Sequence, residues 1–260
     1  HCAGMISIDD QPNPLVADVN VNGTKVMLSA AEAASVKRFV YVSSIHAVPE
    51  LPQGTVQSEI SHFDPALVVG EYAKTKATAT QLVLDAAAGG MDALTVHPSG
   101  IVGPNSPMSA MMTKLAMDFL RGRLPIAVKG GFDFVDVRDV AAGILRALEA
   151  GRSGESYFLT NQFYRIRDIL DAIAESSGKP KTRIYLSTGF VRIFTPFVGW
   201  FSQLRGTKPL FTAYSMYTLA QNALYTNRKA VNELRFRTRP IEETVRDLVG
   251  WLTPLLATAK

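Results

Sequence analysis

Arg38-Phe-Val-Tyr-Val-Ser-Ser44 is a β-branched and aromatic run that stops on two small polar residues, and it reads as a short buried strand. After a loop over 45–69 carrying Pro49, Pro52, Gly54 and Pro65, Gly70 to Ala88 is an alanine-rich helix closed by Gly89-Gly90, where glycine suits a left-handed cap. Ala93-Leu-Thr-Val-His97 is the next strand, and Pro98 is expected to end its regular pairing. Strand, helix, strand in that order calls for a parallel sheet covered on both faces.

The pattern extends both ways. Upstream, Leu15 to Ala34 is helical, with an apolar stripe at Val16, Val19, Val26, Met27 and Ala30. Downstream, Gly100, Gly103 and Pro104 mark a turn, followed by a helix from Met108 to Arg121, a turn at Gly130-Gly131, a strand at Phe132 to Val135, a helix from Val137 to Ala150 and a strand from Ser156 to Leu159. The last hundred residues change character, with helices expected over 165–177, 188–204, 211–223, 228–234 and 241–256 and only Thr182 to Leu186 strand-like. The expected fold class is therefore α/β, a parallel sheet domain bearing a smaller, mostly helical lobe.

With 260 residues, 47% of them apolar, the chain can bury a sizeable core. A formal charge of +4 from 27 basic and 23 acidic residues is too small an excess for the basic stripe of a nucleic-acid binder. One cysteine, Cys2, excludes an internal disulfide and fits a reducing compartment, so cytoplasm is expected. The longest apolar stretch, Val191 to Leu204, contains Arg192 and falls short of the ~20 apolar residues a bilayer span needs. His1-Cys-Ala-Gly4 reads as the end of a buried strand entering a turn, which leads us to expect a fragment.

Tyr72 and Lys76 lie four residues apart on the alanine-rich helix, which places phenol and ammonium on one face a turn apart. A neighbouring cation favours phenolate and is expected to lower the tyrosine pKa, fitting Tyr72 for general acid and base work. Ser44 ends its strand at the carboxyl edge, where ligands gather in open parallel sheets, and its hydroxyl can hold the oxygen whose proton Tyr72 exchanges. Spacing alone is weak: Tyr225 and Lys229 share it, but with no strand-end serine ahead, and they read as the capped start of a surface helix. Other chemistries fare worse. His97-Pro-Ser-Gly-Ile101 lacks the flanking glycines of a serine-hydrolase elbow, and His1, His46, His62 and His97 are scattered without metal-ligand spacing.

Six segments in order then carry a resemblance: His1-Cys-Ala-Gly4, Asn20-Val-Asn-Gly-Thr24, Phe39-Val-Tyr-Val-Ser-Ser44, Tyr72-Ala-Lys-Thr-Lys76, His97-Pro-Ser-Gly-Ile-Val-Gly-Pro104 and Phe134-Val-Asp-Val-Arg-Asp139. The chain resembles the extended short-chain dehydrogenases/reductases, which include sugar-nucleotide epimerases, dihydroflavonol reductases and 3-beta-hydroxysteroid dehydrogenases. The resemblance implies a Rossmann-type doubly wound parallel sheet, truncated at its amino end. Dinucleotide-binding residues would be 1–106 and 135–161, and the substrate-binding lobe 107–134 and 162–260. It implies Ser44, Tyr72 and Lys76 as the catalytic trio, with Lys76 also on the nicotinamide ribose. Ser43 is the less favoured serine and is placed, with Ala3, Gly4, Pro98, Ser99 and Ile101, along the cofactor. Asn20 matches an asparagine that is often structural.

The cofactor would be NAD or NADP. The glycine-rich turn that holds the pyrophosphate, and the residue that selects between the two, match nothing in this sequence, so residues 1–260 by themselves are expected to bind the dinucleotide weakly. His97 also departs from the arginine relatives commonly place before the proline. The implied function is hydride transfer between nicotinamide and a carbonyl or alcohol. Alternatives are a nucleotide-sugar epimerase or dehydratase and a non-catalytic cofactor-binding sensor or scaffold, against which the retained Tyr72 and Lys76 argue.

His46, Met108 and Phe134 are candidates for the substrate pocket. Phe190, Phe194, Phe197, Trp200 and Phe201 favour core packing over a lipophilic pocket or a peripheral membrane contact, the latter two pointing to a hydrophobic small-molecule substrate. The resemblance further implies a homodimer through the helices carrying Leu15 and Tyr72.

Overall fold

The computed structural model describes residues 1–6, 13–187, 189–190 and 213–258. In chain order its elements are α1 (Pro14–Ala17), a π-helical turn (Asp18–Asn22), α2 (Gly23–Ala33), β1 (Phe39–Val42), α3 (Glu71–Ala88), β2 (Ala93–Pro98), β3 (Gly100–Val102) and α4 (Met111–Leu120). They continue with β4 (Ile126–Val128), β5 (Gly131–Asp136), α5 (Val137–Ala150), β6 (Ser156–Leu159), β7 (Gln162–Arg165), α6 (Ile166–Ser177) and β8 (Ile184–Leu186). The last are α7 (Ala213–Ala220), α8 (Arg228–Leu234) and α9 (Ile241–Thr258). The chain divides into two compact units, one of His1–Ser99, Asp139–Asn161 and Leu224–Arg237, the other of Gly100–Arg138, Gln162–Ala223 and Thr238–Lys260.

The first unit is built on the parallel sheet β1-β2-β6, with Phe39 opposite Ala93 and Thr95 opposite Ser156. His1 pairs along the free side of β1, its amino group donating to Val40 O at 2.8 Å and its carbonyl accepting from Val42 N at 3.0 Å. The sheet is fully covered, as a run of apolar strand residues without polar alternation requires. Leu28 and Ala31 of α2 and Ala79 and Val83 of α3 pack on Phe39, Tyr41 and Ala93. On the other face α5 comes so close that a Cβ at Gly143 would stand 2.9 Å from Leu159, and one at Gly151 would stand 2.8 Å from Leu94.

Residues 224–237, expected in the other lobe, belong to this first unit. Lys229 Nζ donates to Glu155 Oε2 at 2.6 Å and to Ser156 O at 2.8 Å and lies over the Tyr157 ring, while Glu233 accepts from Arg152 and from the Tyr157 hydroxyl. Lys229 is thus fastened to β6 rather than solvated on a surface helix. Asn227 spends its amide on Thr160 O and provides no side-chain cap.

The second unit carries the sheet β3-β5-β7, in which β3 runs parallel and β7 antiparallel to β5, and the parallel ribbon β4-β8. Its core joins Leu115, Phe119 and Leu120 of α4, Ile169, Leu170 and Ile173 of α6 and Val245, Leu248 and Leu252 of α9. Amphipathic spacing on all three helices supplies these faces, and each such fully buried side chain contributes about 1.5–3 kcal/mol.

Three local readings are corrected. Gly100 to Val102 is a strand rather than a turn, because glycine lets β3 press on β5: a Cβ at Gly100 would lie 2.8 Å from Phe134 Cδ1. Pro98 stays within β2 opposite Leu159, since its missing N–H falls at the strand's end. Gln162–Arg165, placed by its sequence at the edge of a helical lobe, is a strand. The helix expected over 188–204 falls, from Val191 on, outside the described residues.

Candidate active site

Ser44 is the second residue past β1, extended at φ −157° and ψ 153°, and it starts a 3₁₀ turn over Ile45–Ala47. That conformation exposes both of its polar groups for use. The hydroxyl oxygen accepts the His46 N–H at 3.3 Å, and the hydroxyl lies near enough to the Tyr72 phenol to favour its ionised form. Tyr72 sits in the first turn of α3, which starts after Gly70 at φ +96°, a conformation suited to glycine. Lys76 follows one turn later, so both side chains enter the same buried face of α3, 9% and 4% exposed.

The Lys76 ammonium donates to Val42 O at 2.9 Å and to Tyr41 Oη at 3.2 Å, and lies 4.8 Å from the Tyr41 ring centroid. Burial lowers its pKa to about 8. An ammonium has three N–H donors, and two are used here, which leaves one for a ligand. The expected lowering of the Tyr72 pKa is overturned. Burial raises it, opposed by the nearby Ser44 hydroxyl, because the ammonium is directed to the end of β1.

On the side of Gly4 the ammonium faces bare backbone. A Cβ on Gly4 would stand 3.3 Å from Lys76 Nζ and 3.3 Å from Asn20 Oδ1. Asn20, buried in the π-helical turn, fixes this segment by accepting from Met5 N at 2.7 Å and donating to Met5 O at 2.9 Å and Thr75 Oγ1 at 3.0 Å. A bare backbone beside a buried cation with an unused donor fits a ribose with vicinal hydroxyls, so these residues suit a nicotinamide dinucleotide.

His97 is buried, stacked on Phe63 at 5.0 Å. Its Nδ1 lies 3.1 Å from Ser44 O and its Nε2 2.9 Å from Thr95 Oγ1, which is 2.9 Å from Ser156 Oγ. A carbonyl only accepts, so Nδ1 holds the proton, Nε2 accepts from Thr95, and Thr95 accepts from Ser156. Burial, the largest cause, lowers the His97 pKa to about 4 and keeps this neutral form.

The remaining expected residues are dispersed. Ser43 commits its hydroxyl to Thr80 at 2.6 Å, Ala3 is exposed, and Ser99 is buried just past β2. The His46 ring meets the Tyr72 ring edge-on at 6.2 Å, and burial lowers its pKa to about 4. In the second unit Ile101 and Met108 are exposed, at 43% and 44%, whereas Phe134 is buried in the core. Tyr41, Thr95 and Ser156 were not singled out in the sequence. Tyr41 reads as one more core residue of its strand, and nothing local marks the other two.

The model of the NAD dependent epimerase/dehydratase family matches residues 1–160. The chain belongs to this family. As a family member it is an enzyme of the extended short-chain dehydrogenase/reductase type, oxidoreductase-like in chemistry and dependent on a nicotinamide dinucleotide. It is 32% identical over 257 residues to the sterol demethylase protein B of Methylococcus capsulatus, covering 96% of this chain and 77% of that protein. It is 35% identical over 163 residues to a 4-hydroxy-2-methyl-3-oxo-4-farnesyl-3,4-dihydroquinoline-1-oxide ketoreductase of Stigmatella aurantiaca, covering 61% and 48%. The crystal structure of gox2253 superposes with a TM-score of 0.80 at 26% identity, covering 96% of this chain and 76% of that one. No helix among the described residues of this epimerase/dehydratase family member is long and apolar enough to cross a membrane.

Proposed function

We propose that this protein is an NAD(P)-dependent reductase or dehydrogenase of a lipophilic carbonyl–alcohol pair, with Tyr72 as general acid and base. The Ser44 hydroxyl beside the Tyr72 phenol, with Lys76 buried on the same helix face, carries the reading. Ser44 holds the substrate oxygen. Tyr72, kept protonated by burial, gives that oxygen its proton in the reducing direction and takes it back in the oxidising one. The bound nicotinamide supplies or accepts the hydride. Lys76 offers its third N–H to the ribose, where the glycine at position 4 allows close approach, and Ala3, Pro98, Ser99 and Ile101 are assigned to the same cofactor.

The first unit, with His46 beside Tyr72, is assigned to the dinucleotide and the reacting groups, and the second, with Met108, to the substrate. Phe134, in the core, is left out. A lipophilic substrate is supported by relatives whose names specify a sterol and a farnesylated quinoline. Val26 and Met27, 65% and 42% exposed on α2, support the homodimer expected through α2 and α3.

Full-length protein should reduce hydrophobic ketones or ketosteroids with NADH or NADPH, and Tyr72→Phe should lower turnover at least ~100-fold, the usual contribution of a positioned acid. Turnover that survives Tyr72→Phe, or interconversion of nucleotide sugars without ketone reduction, sinks the proposal.

A further inference from the structure

The β4-β8 ribbon gathers cations from two separate stretches of sequence. Arg121 and Arg123 follow α4, while Lys179, Lys181 and Arg183 lead into β8, and all five are exposed. The Thr182 hydroxyl donates to Leu124 O at 3.1 Å, and the parallel register sets Ile126 opposite Ile184, so the two basic stretches enter the ribbon side by side. Lys181 pairs with Glu175 at 2.7 Å and with Asp171 at 3.8 Å. No ion pair among the described residues engages Arg121, Arg123, Lys179 or Arg183.

Like charges held together in this way repel unless an anionic surface faces them. Next to them, at the first rung, Ile126 and Ile184 are 44% and 52% exposed, with Pro125 exposed beside them. A β ladder cannot tuck these side chains away by a small shift, because its register fixes which face they occupy. Cations framing an apolar pair match the layering of a membrane interface, with anionic head groups outside and acyl chains beneath. A nucleic acid would meet apolar side chains where it needs polar or stacking contacts.

We propose that this end of the ribbon docks on an anionic lipid surface, with Arg121, Arg123, Lys179 and Arg183 on phospholipid head groups and Ile126 and Ile184 at the acyl boundary. The lipophilic-substrate reading gives such docking a purpose, but the interaction needs neither cofactor nor turnover, so the two proposals fail separately.

Co-sedimentation of full-length protein with vesicles tests it. The protein should pellet with vesicles of phosphatidylcholine containing a third phosphatidylglycerol, stay in solution with phosphatidylcholine alone, and lose binding as salt rises. Arg123→Glu/Arg183→Glu should weaken binding roughly 25-fold or more, from about fivefold per lost cation near such a surface, with an unchanged thermal midpoint and unchanged reduction of a water-soluble ketone. Ile126→Ser/Ile184→Ser should remove the binding that persists at high salt. Equal binding to neutral vesicles, equal binding by the charge-reversal variant, or retention by duplex DNA without vesicle binding overturns the proposal.

Discussion

His97 Nδ1 lies 3.1 Å from the carbonyl oxygen of Ser44, which also accepts the Ala47 N–H at 3.1 Å. Both lone pairs of that carbonyl are therefore used, and the residue whose hydroxyl meets Tyr72 is held from two directions. An arginine at this position would bring a charge into a site with no carboxylate among these partners. Neutral imidazole satisfies Thr95 and Ser44 together.

Replacement of His97 should separate its two contacts. His97→Asn puts an amide N–H where Nδ1 stands and should keep most of the activity, whereas His97→Gln reaches only toward Thr95 and should lose it. His97→Phe, which leaves buried polar groups short of a partner, should cost about 1–3 kcal/mol in urea unfolding. Equal activity of the Asn and Gln variants would detach Ser44 from His97.

The buried His97 also predicts an acid limb of stability. Its folded pKa of about 4 lies below the ordinary 6.5, so the unfolded chain binds the extra proton first. Lys76 and Lys229 add repulsion to the burial that disfavours the imidazolium. Its contribution is complete above pH 6.5 and disappears as pH falls toward 4, amounting to about 3 kcal/mol at 1.36 kcal/mol per pKa unit. Urea midpoints of wild type and His97→Asn should converge by that amount across this window.

Ser44→Ala should raise the Tyr72 ionisation midpoint further, since the neighbouring Ser44 hydroxyl is what opposes burial there. Carbon-13 NMR of ring-labelled tyrosine, with Tyr72→Phe to assign the resonance, reads this without substrate. An unchanged midpoint would mean that Ser44 and Tyr72 do not interact in solution.

Lys76 predicts the opposite end of the pH scale. Its folded pKa of about 8 lies below 10.5, so the cost of burying its charge is complete below pH 8 and is relieved as pH rises toward 10.5. The stability of wild type relative to Lys76→Met should therefore improve by about 3 kcal/mol between pH 7 and 11. A pH-independent difference would show that the ammonium is solvated.

Much of this protein is local enough to read in its sequence. The β-branched run at 39–42, the alanine-rich helix at 71–88 and the amphipathic helices at 137–150 and 228–234 follow from side-chain periodicity and glycine punctuation, forces that act within a few residues. Four-residue spacing on a helix likewise sets Tyr72 and Lys76 on one face. Only the tertiary structure brings Ser44 to Tyr72 and aims the Lys76 ammonium at Val42 and Tyr41, which reverses the expected Tyr72 shift. It also sends the Tyr225–Lys229 repeat to β6 as a fastener and turns Gly100 from a turn residue into a strand residue. Burial and hydrogen-bond partners depend on which distant segments meet, and those encounters leave no periodic trace along the chain.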